Sequence, residues 1–420
     1  MRILMVSRQL PIPASNGLAI RTLSVAQGLA AGNHAVTFVA PDSTDKPADL
    51  APLSRWCREV SIVPRTAVSM SQGLDYLGRI RSLLSLRSYA VERYRSAAMR
   101  ARIEAHLQRE AFDLIVAEGL YAMVNLPDTA VPVVLNAHNA EYVIFQRYAR
   151  LERSLARRWY ARLEARWVKK TEKQVCERIA LALVCSQTDR GLLTALHPDL
   201  SAVVVPNAVD TDSFAPAEND DNSDSPPSDP ILLYLGGMDW YPNQDAVEYF
   251  ASEILPLVRQ QVPRVRFVVA GRNPPRHFTA KFAGVPGVEF TGTVPDMRPY
   301  ISAATVVVVP LRVGGGTRIK ILEASAAAKA VVATRVGAEG LDLEQGREII
   351  LADAPNEFGA AIVELLRDPQ RRRILGAAAR EKIVQRYSQA GVGRSLDEVL
   401  AHVTGRAGQA ISCAAAGETQ

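Results

Sequence analysis

The sequence is poor in cysteine and has no long apolar run, and each shortage excludes a class of protein. Its four cysteines are far apart in the chain: Cys57, Cys176, Cys185 and Cys413. They form no CxxC or metal-ligand spacing, so neither a disulfide framework nor a cysteine metal site is expected. No stretch approaches the roughly 18 consecutive apolar residues of a membrane-spanning helix, and Met1–Val6 is too short for the apolar region of a signal peptide. We therefore expect a protein of the cytoplasm.

The net charge of +5 is concentrated in one segment. Residues 141–178 contain eleven Lys or Arg and five Glu, a local excess of six positive charges. Their apolar residues recur every three or four positions, which predicts one long helix. Those residues are Ile144, Tyr148, Leu151, Leu155, Trp159, Leu163 and Trp167. This basic segment either docks on an anionic membrane surface or packs on its own domain with a solvated basic face. It contains no recognised nucleic-acid-binding motif, so no nucleic acid is expected as a partner.

Short apolar strands alternate with helical stretches along the first half of the chain. The strand Arg2–Ser7, the helical spacing of Leu18–Ala31 and the strand Ala35–Ala40 form a βαβ unit, which implies a parallel sheet. Five more strands are predicted at Val60–Val63, Phe112–Ala117, Val131–Leu135, Leu181–Val184 and Ala202–Val205. Together they predict a doubly wound α/β domain over residues 1–213.

A second α/β domain is predicted after an acidic, Ser/Pro-rich linker at residues 214–230. Its strands are predicted at Ile231–Leu235, Val265–Ala270, Val288–Phe290, Thr305–Val309, Val331–Thr334 and Ile349–Leu351. We expect this domain over 231–385, then a C-terminal helix over 386–403 with the first domain as its candidate packing partner, and a disordered tail over 404–420. Two such domains in tandem predict a ligand cleft between the carboxyl ends of their sheets.

A glycine-rich loop follows the predicted strand Thr305–Val309. Its glycines, Gly314, Gly315 and Gly316, let the backbone approach a ligand closely. Thr317 is the candidate N-cap of a helix that continues to Lys329. The free N–H groups at a helix N-terminus favour an anion, above all a phosphate.

Charged residues accompany this loop. Arg318 and Lys320 add positive charge beside it, and Glu323 lies about two turns along the helix, where a carboxylate can accept hydrogen bonds from sugar hydroxyls. Glycine-rich turns also occur for tight packing alone, and Lys320 with Glu323 is an ordinary surface pair. These residues alone leave anion binding and tight packing open.

In their order along the chain, these stretches resemble family 4 of the retaining glycosyltransferases. The resemblance covers nearly the whole chain and rests on Met1–Ser7, Asn16–Gly17, Gly32–Thr37, Val205–Asp210, Ala270–Gly271, Phe290–Gly292 and Gly314–Glu323. Three stretches are more narrowly similar to bacterial sugar transferases of exopolysaccharide gene clusters: His138–Glu141, Gly236–Asn243 and Pro310–Lys320.

The resemblance implies a fold and a reaction. The fold is GT-B, α/β, with two tandem doubly wound, Rossmann-like domains facing each other across a cleft. The reaction is the metal-independent transfer of a sugar, with retention of configuration, from a nucleotide diphosphate sugar in the second domain to a lipid-linked saccharide acceptor on the first. The resemblance implies no cofactor and a role in surface or exopolysaccharide biosynthesis. If the basic segment docks on a membrane, we expect a peripheral location at the inner face of the cell membrane.

The resemblance also carries donor-side roles to the second domain. Glu323 matches the second Glu of the family's Glu-x7-Glu motif and would bind the ribose, whereas Gly315 replaces the first Glu. The remaining donor-binding candidates are Gly236, Gly271, Gly314, Gly316, Thr317 and Glu339.

Two basic residues of the family are also replaced. The family often has an Arg and a Lys after the first strand of the second domain, where this chain has Met238 and Asn243. We expect Arg318 and Lys320 to supply that charge from the glycine loop and to stabilise the departing diphosphate in the transition state.

The first domain supplies the other candidates. The resemblance implies that His138 contacts the transferring sugar, although a structural imidazole fits the sequence equally well. Gly17 either lets the backbone approach a substrate or begins a helix, and Glu118 either steers an acceptor hydroxyl or is an exposed strand-end carboxylate. Asn139 is a further acceptor-side candidate. Two rival functions stay open, a nucleotide-sugar epimerase of the same architecture and a non-catalytic nucleotide-binding partner.

Overall fold

The computed structural model describes residues 1–14, 16–42, 49–64, 72–216, 229–272 and 274–403. Contacts divide the chain into two compact units, unit 1 with Met1–Pro206 and the described residues from Ala390, and unit 2 with Asn207–Gln389. Most of the predicted linker, residues 217–228, and the predicted tail from residue 404 lie outside the described residues. Among the helices that are described, none is long and apolar enough to cross a membrane.

Unit 1 contains a seven-stranded parallel sheet with the strand order β3-β2-β1-β4-β5-β6-β7. Its strands are β1 (Arg2–Ser7), β2 (Ala35–Pro41), β3 (Glu59–Val63), β4 (Leu114–Glu118), β5 (Val133–Ala137), β6 (Leu181–Val184) and β7 (Ala202–Val204). The seven strands predicted from the sequence are present, with ends that differ by at most two residues. Most strand residues are buried, because helices cover the faces of a doubly wound sheet.

Polar residues cap the N-termini of several, though not all, of the helices of unit 1. The helices are α1 (Gly17–Ala31), α2 (Ala51–Ser54), α3 (Gln72–Ser85), α4 (Tyr89–Glu92), α5 (Ala97–Arg109), α6 (Leu120–Met123), α7 (Glu141–Leu151), α8 (Leu155–Cys176) and α9 (Gln187–Thr194). Asn16, Ser96 and Ser186 are typical N-caps, since each side chain accepts a hydrogen bond from a backbone N–H three residues on.

The predicted single basic helix is wrong, because residues 141–178 form the two helices α7 and α8. Helix α7 ends at Leu151, and the backbone is extended at Glu152 and Ser154 before α8 begins at Leu155. The Glu152 carboxylate stabilises this break by accepting hydrogen bonds from the Tyr148 hydroxyl at 2.6 Å and the Ser154 N–H at 2.9 Å. The predicted apolar stripe is therefore interrupted, and three of its members, Leu151, Leu155 and Trp159, are exposed.

Two buried glutamates of α8 hold the N-termini of neighbouring helices. Glu164 accepts hydrogen bonds from the Ser88 hydroxyl and the Tyr89 N–H at the start of α4. Glu172 accepts them from the N–H groups of Glu141 and Tyr142, at 2.7 and 2.9 Å, at the start of α7. Each carboxyl group satisfies backbone donors that have no partner within their own helix.

Unit 2 contains a six-stranded parallel sheet with the strand order β10-β9-β8-β11-β12-β13. Its strands are β8 (Ile231–Leu235), β9 (Arg266–Ala270), β10 (Val288–Gly292), β11 (Val306–Val309), β12 (Val331–Ala333) and β13 (Ile350–Leu351). Its helices are α10 (Tyr241–Tyr249), α11 (Leu255–Gln261), α12 (Arg276–Thr279), α13 (Arg298–Ala303), α14 (Ile319–Ala326), α15 (Pro355–Arg367) and α16 (Pro369–Tyr387). A π-helical segment, Phe250–Ile254, joins α10 to α11. Both units therefore have the strand order of Rossmann-like domains.

The last helix, α17 (Gln389–Val403), packs on α1. A Cβ built on Gly28 of α1 would lie 3.1 Å from Leu396 Cδ2 and 3.4 Å from Gly393 Cα, both in α17. Glycine at position 28 thus permits the close approach of these two helices in unit 1.

Candidate active site

The glycine loop in unit 2 connects β11 to α14. Gly314 and Gly316 have positive φ angles of 146° and 67°, which other residues adopt only with strain. The helix begins at Ile319 and ends at Ala326, so it is shorter than the predicted 317–329. The prediction that Thr317 caps it is wrong, because the N-cap position is Arg318. The Thr317 hydroxyl instead accepts a hydrogen bond from Asn207 Nδ2 at 2.5 Å. This bond ties the loop to the first turn of unit 2.

Arg318 is folded against the glycine loop. Its Nη1 donates hydrogen bonds to the carbonyl oxygens of Gly315 and Gly316, and its Nη2 donates to Val336 O at 3.2 Å. The side chain is buried, and a Cβ on Gly314 would lie 2.6 Å from Nη2. Arg318 therefore fixes the shape of the loop and adds a buried positive charge to it.

Lys320 extends from the same loop to the carboxyl end of β8. Its Nζ donates a hydrogen bond to Asn243 Oδ1 at 3.1 Å and lies 4.0 Å from the centre of the Tyr234 ring. A Cβ on Gly236 would lie 2.9 Å from Nζ. Burial, followed by the nearby positive charge of Arg318, lowers the pKa of Lys320 to about 7. An anion bound here would restore the protonated form.

Two glycines let the loops after β8 and β9 touch. A Cβ on Gly271 would lie 1.9 Å from Gly236 O, a distance that no side chain tolerates. The Gly236 N–H also donates to Ala270 O at 3.0 Å. Gly271 is thus required for backbone packing, and its predicted contact with a base stays a prediction.

The two candidate carboxylates of unit 2 are both partly buried. Glu323 lies on α14, and burial raises its pKa to about 7, an effect that the charge of Lys320 opposes. Glu339 lies in the turn that follows β12, beside Gly340 with its positive φ of 81°. Their predicted contacts with the ribose or base stay predictions.

Glu118 in unit 1 is fully buried at the end of β4, so the alternative of an exposed strand-end carboxylate is wrong. Its Oε2 lies 3.0 Å from His138 Nε2 and accepts hydrogen bonds from Thr22 Oγ1 at 2.9 Å and Asn136 Nδ2 at 2.9 Å. A neutral imidazole that donates from Nε2 leaves Nδ1 as its acceptor. Glu118 therefore orients His138.

Two members of this network, Asn136 and Arg21, were not predicted from the sequence. Arg21 is buried in α1, where its Nε donates to Asn136 Oδ1 and its Nη1 to Val205 O, both at 2.8 Å. Asn136 in turn donates to Glu118, so a buried cation and a buried carboxylate are linked through one amide. The signal was present, since each is a polar residue inside an apolar run.

The other two candidates of unit 1 make local contacts. Gly17 is the exposed first residue of α1, directly after the N-cap Asn16, as its alternative interpretation expected. Asn139 donates a hydrogen bond from Nδ2 to Glu141 Oε1 at 2.8 Å, at the start of α7. Their acceptor-side roles stay predictions.

One cluster in the described part of the chain has the composition of a metal site. The ligand atoms of Glu59, His106 and Glu110 lie within 4.8 Å of one another. The Arg109 guanidinium, however, donates to both carboxylates and supplies the positive charge that they need. The cluster lies in unit 1, apart from the residues described above.

Comparisons with known proteins agree with this architecture. A family model described as "Glycosyltransferase Family 4" matches residues 15–213, and one described as "Glycosyl transferases group 1" matches residues 229–368. A GDP-mannose-dependent alpha-(1-6)-phosphatidylinositol monomannoside mannosyltransferase of Mycolicibacterium smegmatis is 26% identical over 52% of this chain and 61% of its own. A phosphatidyl-myo-inositol mannosyltransferase of Mycobacterium tuberculosis is 30% identical over 51% and 57%. The matches thus span about three-fifths of each curated relative.

Solved structures share the fold at low sequence identity. Sucrose-phosphate synthase of Thermosynechococcus elongatus superposes with a TM-score of 0.74 at 18% identity, over 97% of this chain and 100% of its own. HepE of Anabaena, solved in complex with UDP and glucose, gives a TM-score of 0.66 at 15% identity, over 96% and 99%.

Proposed function

Because the two family models together match most of the chain, it belongs to family 4 of the GT-B glycosyltransferases, and we propose that it transfers a hexose from a nucleotide diphosphate sugar to a saccharide acceptor. Unit 2 would hold the donor and unit 1 the acceptor. We further propose retention of the anomeric configuration, which rests on the family resemblance alone.

The position of the Lys320 ammonium carries the donor half of this proposal. It lies beside Gly236 at the carboxyl end of β8, the edge at which doubly wound sheets bind nucleotides. Asn243 and Met238 replace the basic pair that the resemblance led us to expect after β8, and Lys320 contacts Asn243 from the opposite loop. A cation thus remains available to a diphosphate although the family's own basic residues are absent.

The other groups of the glycine loop support the departing diphosphate. Backbone N–H groups at the start of α14 favour an anion, and the buried Arg318 adds positive charge without having to move. Preorganised charges of this kind stabilise the negative charge that develops on a leaving group. Glu323 would accept hydrogen bonds from the ribose, and Glu339 and Gly271 would lie at the ribose or base.

His138 is the proposed contact to the transferring sugar. Because Glu118 engages Nε2, the ring offers Nδ1 to a sugar hydroxyl as an acceptor. Glu118 then acts as a positioning residue, and its predicted direct contact with the acceptor is not needed. Gly17 and Asn139 remain acceptor-side candidates near the same edge of unit 1.

We propose a lipid-linked saccharide as the acceptor, in surface or exopolysaccharide biosynthesis. Two observations support it. The curated relatives named above are mannosyltransferases of phosphatidylinositol lipids, and the basic segment 141–178 exposes many cations that an anionic membrane surface would attract. Its exposed cations are Arg150, Arg153, Arg157, Arg162, Arg166, Lys169, Lys170, Lys173 and Arg178. The enzyme would then act at the inner face of the cell membrane as a peripheral protein.

The test is calorimetric titration of the full chain with UDP, GDP, TDP and ADP, repeated with Lys320→Met, Arg318→Ala and Glu323→Ala. We expect one nucleotide to bind, and the Lys320 substitution to weaken it by about 30- to 150-fold, the usual cost of a charged hydrogen bond of about 2–3 kcal/mol. Lys281→Ala is the matched control, because Lys281 is an exposed lysine of the same unit that pairs with Glu248 and lies over the Phe278 ring, away from the glycine loop in sequence.

Other outcomes would point to other functions. If no nucleotide binds, the glycine loop and Lys320 do not form a donor site. If donor is converted in the absence of any acceptor, an epimerase is favoured. If nucleotide binds but no sugar reaches a panel of saccharide and lipid-linked acceptors, the chain is a non-catalytic nucleotide-binding partner.

A further inference from the structure

Helix α3 exposes an apolar face that no pattern discussed above predicted. Leu77, Ile80 and Leu84 are 61%, 40% and 82% exposed. At about 100° per residue these three side chains lie within an arc of about 60° around the helix. Three large apolar side chains on one exposed arc are unusual for a helix in contact with water alone.

The opposite side of α3 is fixed to the rest of unit 1. Ser82 is buried, and its hydroxyl donates to Arg87 O at 2.5 Å. A Cβ on Gly78 would lie 2.3 Å from the Tyr89 ring, and the Arg79 guanidinium lies 5.9 Å from the centre of the Tyr160 ring in α8. The packing of this side leaves the apolar face of Leu77, Ile80 and Leu84 directed outward.

Leu86 extends the apolar face beyond the end of α3. It has a positive φ of 52° and is 69% exposed. Glycine is the usual residue at such a left-handed position after a helix. A leucine there carries a conformational cost and gains no burial within unit 1, which indicates that its side chain is used on the surface.

The charge around this face identifies the partner. Arg81 and Arg87 are exposed beside it, and the nearby carboxylate of Glu92 is already paired with Arg95 at 2.8 Å. The first turns of α8, next to α3 through Tyr160, expose Leu155 and Trp159 together with Arg157. Apolar side chains interleaved with arginine, with a tryptophan beside them, match the boundary between acyl chains and anionic headgroups.

We propose that α3 inserts its apolar face, formed by Leu77, Ile80, Leu84 and Leu86, into the surface of an anionic lipid bilayer. The basic segment 141–178 then supplies long-range attraction, and α3 supplies the apolar contact that attraction alone lacks. This docking would bring unit 1 to a lipid-linked acceptor, and in that respect it rests on the proposed function. The docking itself requires no sugar transfer.

The experiment is co-sedimentation of the full chain with vesicles of phosphatidylglycerol and phosphatidylcholine, and with phosphatidylcholine alone. We expect binding to the anionic vesicles that weakens as salt is added. Leu77→Ser and Leu84→Ser should each lower the partition coefficient about tenfold, since each removes the transfer of one leucine side chain. Arg81→Gln, which alters an exposed arginine that borders the apolar face, should lower it about fivefold at low salt.

Ile374→Ser is the matched control, because Ile374 is a 54% exposed apolar residue on α16 of unit 2. It should bind vesicles as the wild type does. Nucleotide titration of every variant checks that the chain is folded and separates the two proposals. Loss of vesicle binding with intact nucleotide binding in the Leu77 and Leu84 variants supports the inference.

Three results would overturn it. The wild type could bind both kinds of vesicle equally or neither, while still binding nucleotide. The Leu77 and Leu84 variants could sediment as the wild type does. Light scattering could detect a dimer that Leu84→Ser dissociates, in which case a second copy of the chain covers this face. Vesicle binding without nucleotide binding would instead refute only the proposed function.

Discussion

Among single residues, Lys320 is the one whose protonation we expect donor binding to change most. Its pKa is lowered to about 7 by burial and by Arg318, whereas a bound diphosphate favours the protonated amine. Above pH 7 the free protein must therefore take up a proton before it can offer this charge. We expect the affinity for a nucleotide diphosphate sugar to fall by up to about tenfold per pH unit above 7.

Calorimetry between pH 6 and 9, in two buffers of different ionisation enthalpy, measures both the affinity and the proton uptake. A nucleotide sugar is the suitable ligand because its diphosphate has no proton to lose in this range. Lys320→Met should remove the alkaline decline and the proton uptake. An affinity that stays constant from pH 7 to 9 in the wild type would mean that Lys320 does not face the diphosphate.

Glu118 and His138 provide a second prediction for single residues. Glu118→Gln keeps the size of the side chain but can turn an N–H donor toward His138 Nε2, so that the imidazole loses the partner that fixes its tautomer. We expect kcat to fall about 10- to 100-fold, with nucleotide affinity within about twofold of the wild type.

Nitrogen NMR of histidine-labelled protein reads this tautomer directly, with His138→Gln assigning the signal. The wild type should show a proton on Nε2, and Glu118→Gln should shift it to Nδ1. Glu118→Asp, which retains the carboxylate, should restore part of the activity. An unchanged tautomer in Glu118→Gln would leave Glu118 with a purely structural role.

For the secondary-structure elements, apolar pattern predicted the strands well and the helix ends poorly. A buried parallel strand such as β11 is a near-continuous run of valine, and such runs are rare in this chain outside its strands. The break between α7 and α8 was missed because the apolar spacing from Ile144 to Trp167 continues through it. A distant residue, Glu172, satisfies the N-terminus of α7, and no local pattern contains that contact.

The candidate site shows the same limit. The glycines and charges of the loop were readable from the sequence because they are local. The burial of Glu118, the turn of Arg318 onto its own loop and the Asn207 bond to Thr317 were not, since each depends on residues that are brought together only by folding.

Glu172, which joins helices α7 and α8, provides a prediction about the pH dependence of stability. Burial raises its pKa to about 8, from an ordinary value of 4.5. The folded state therefore keeps a proton that the unfolded state releases, so the stability that this proton provides is complete below about pH 4.5 and is lost as the pH rises through 8. Glu172→Gln should cost about 1–3 kcal/mol of unfolding free energy at pH 5, and less at pH 8.

Urea unfolding followed by circular dichroism between pH 5 and 9 measures the difference between variant and wild type. Glu177→Gln is the control, since Glu177 is exposed at the end of the same helix. A Glu172→Gln deficit that is the same at every pH would show that the carboxyl titrates alike in the folded and unfolded chain.

For the whole molecule, the two units divide the candidate residues between them. Lys320, Arg318 and Glu323 belong to unit 2, and Glu118 and His138 belong to unit 1. Each unit is a complete parallel sheet with its own buried core, so each can report ligand binding separately through the exchange of its backbone amides.

Hydrogen exchange with two ligands tests this division. A nucleoside diphosphate should slow exchange in unit 2 at residues 236–243 and 314–323, by up to about 100-fold at 100 times the dissociation constant where exchange requires release of the ligand. It should leave residues 136–139 of unit 1 unchanged. The intact nucleotide sugar should protect the same segments of unit 2 and also residues 136–139, because only the sugar is proposed to reach His138. Identical maps for the two ligands would remove His138 from the sugar contact, whereas protection confined to unit 1 would contradict the placement of the donor on the glycine loop.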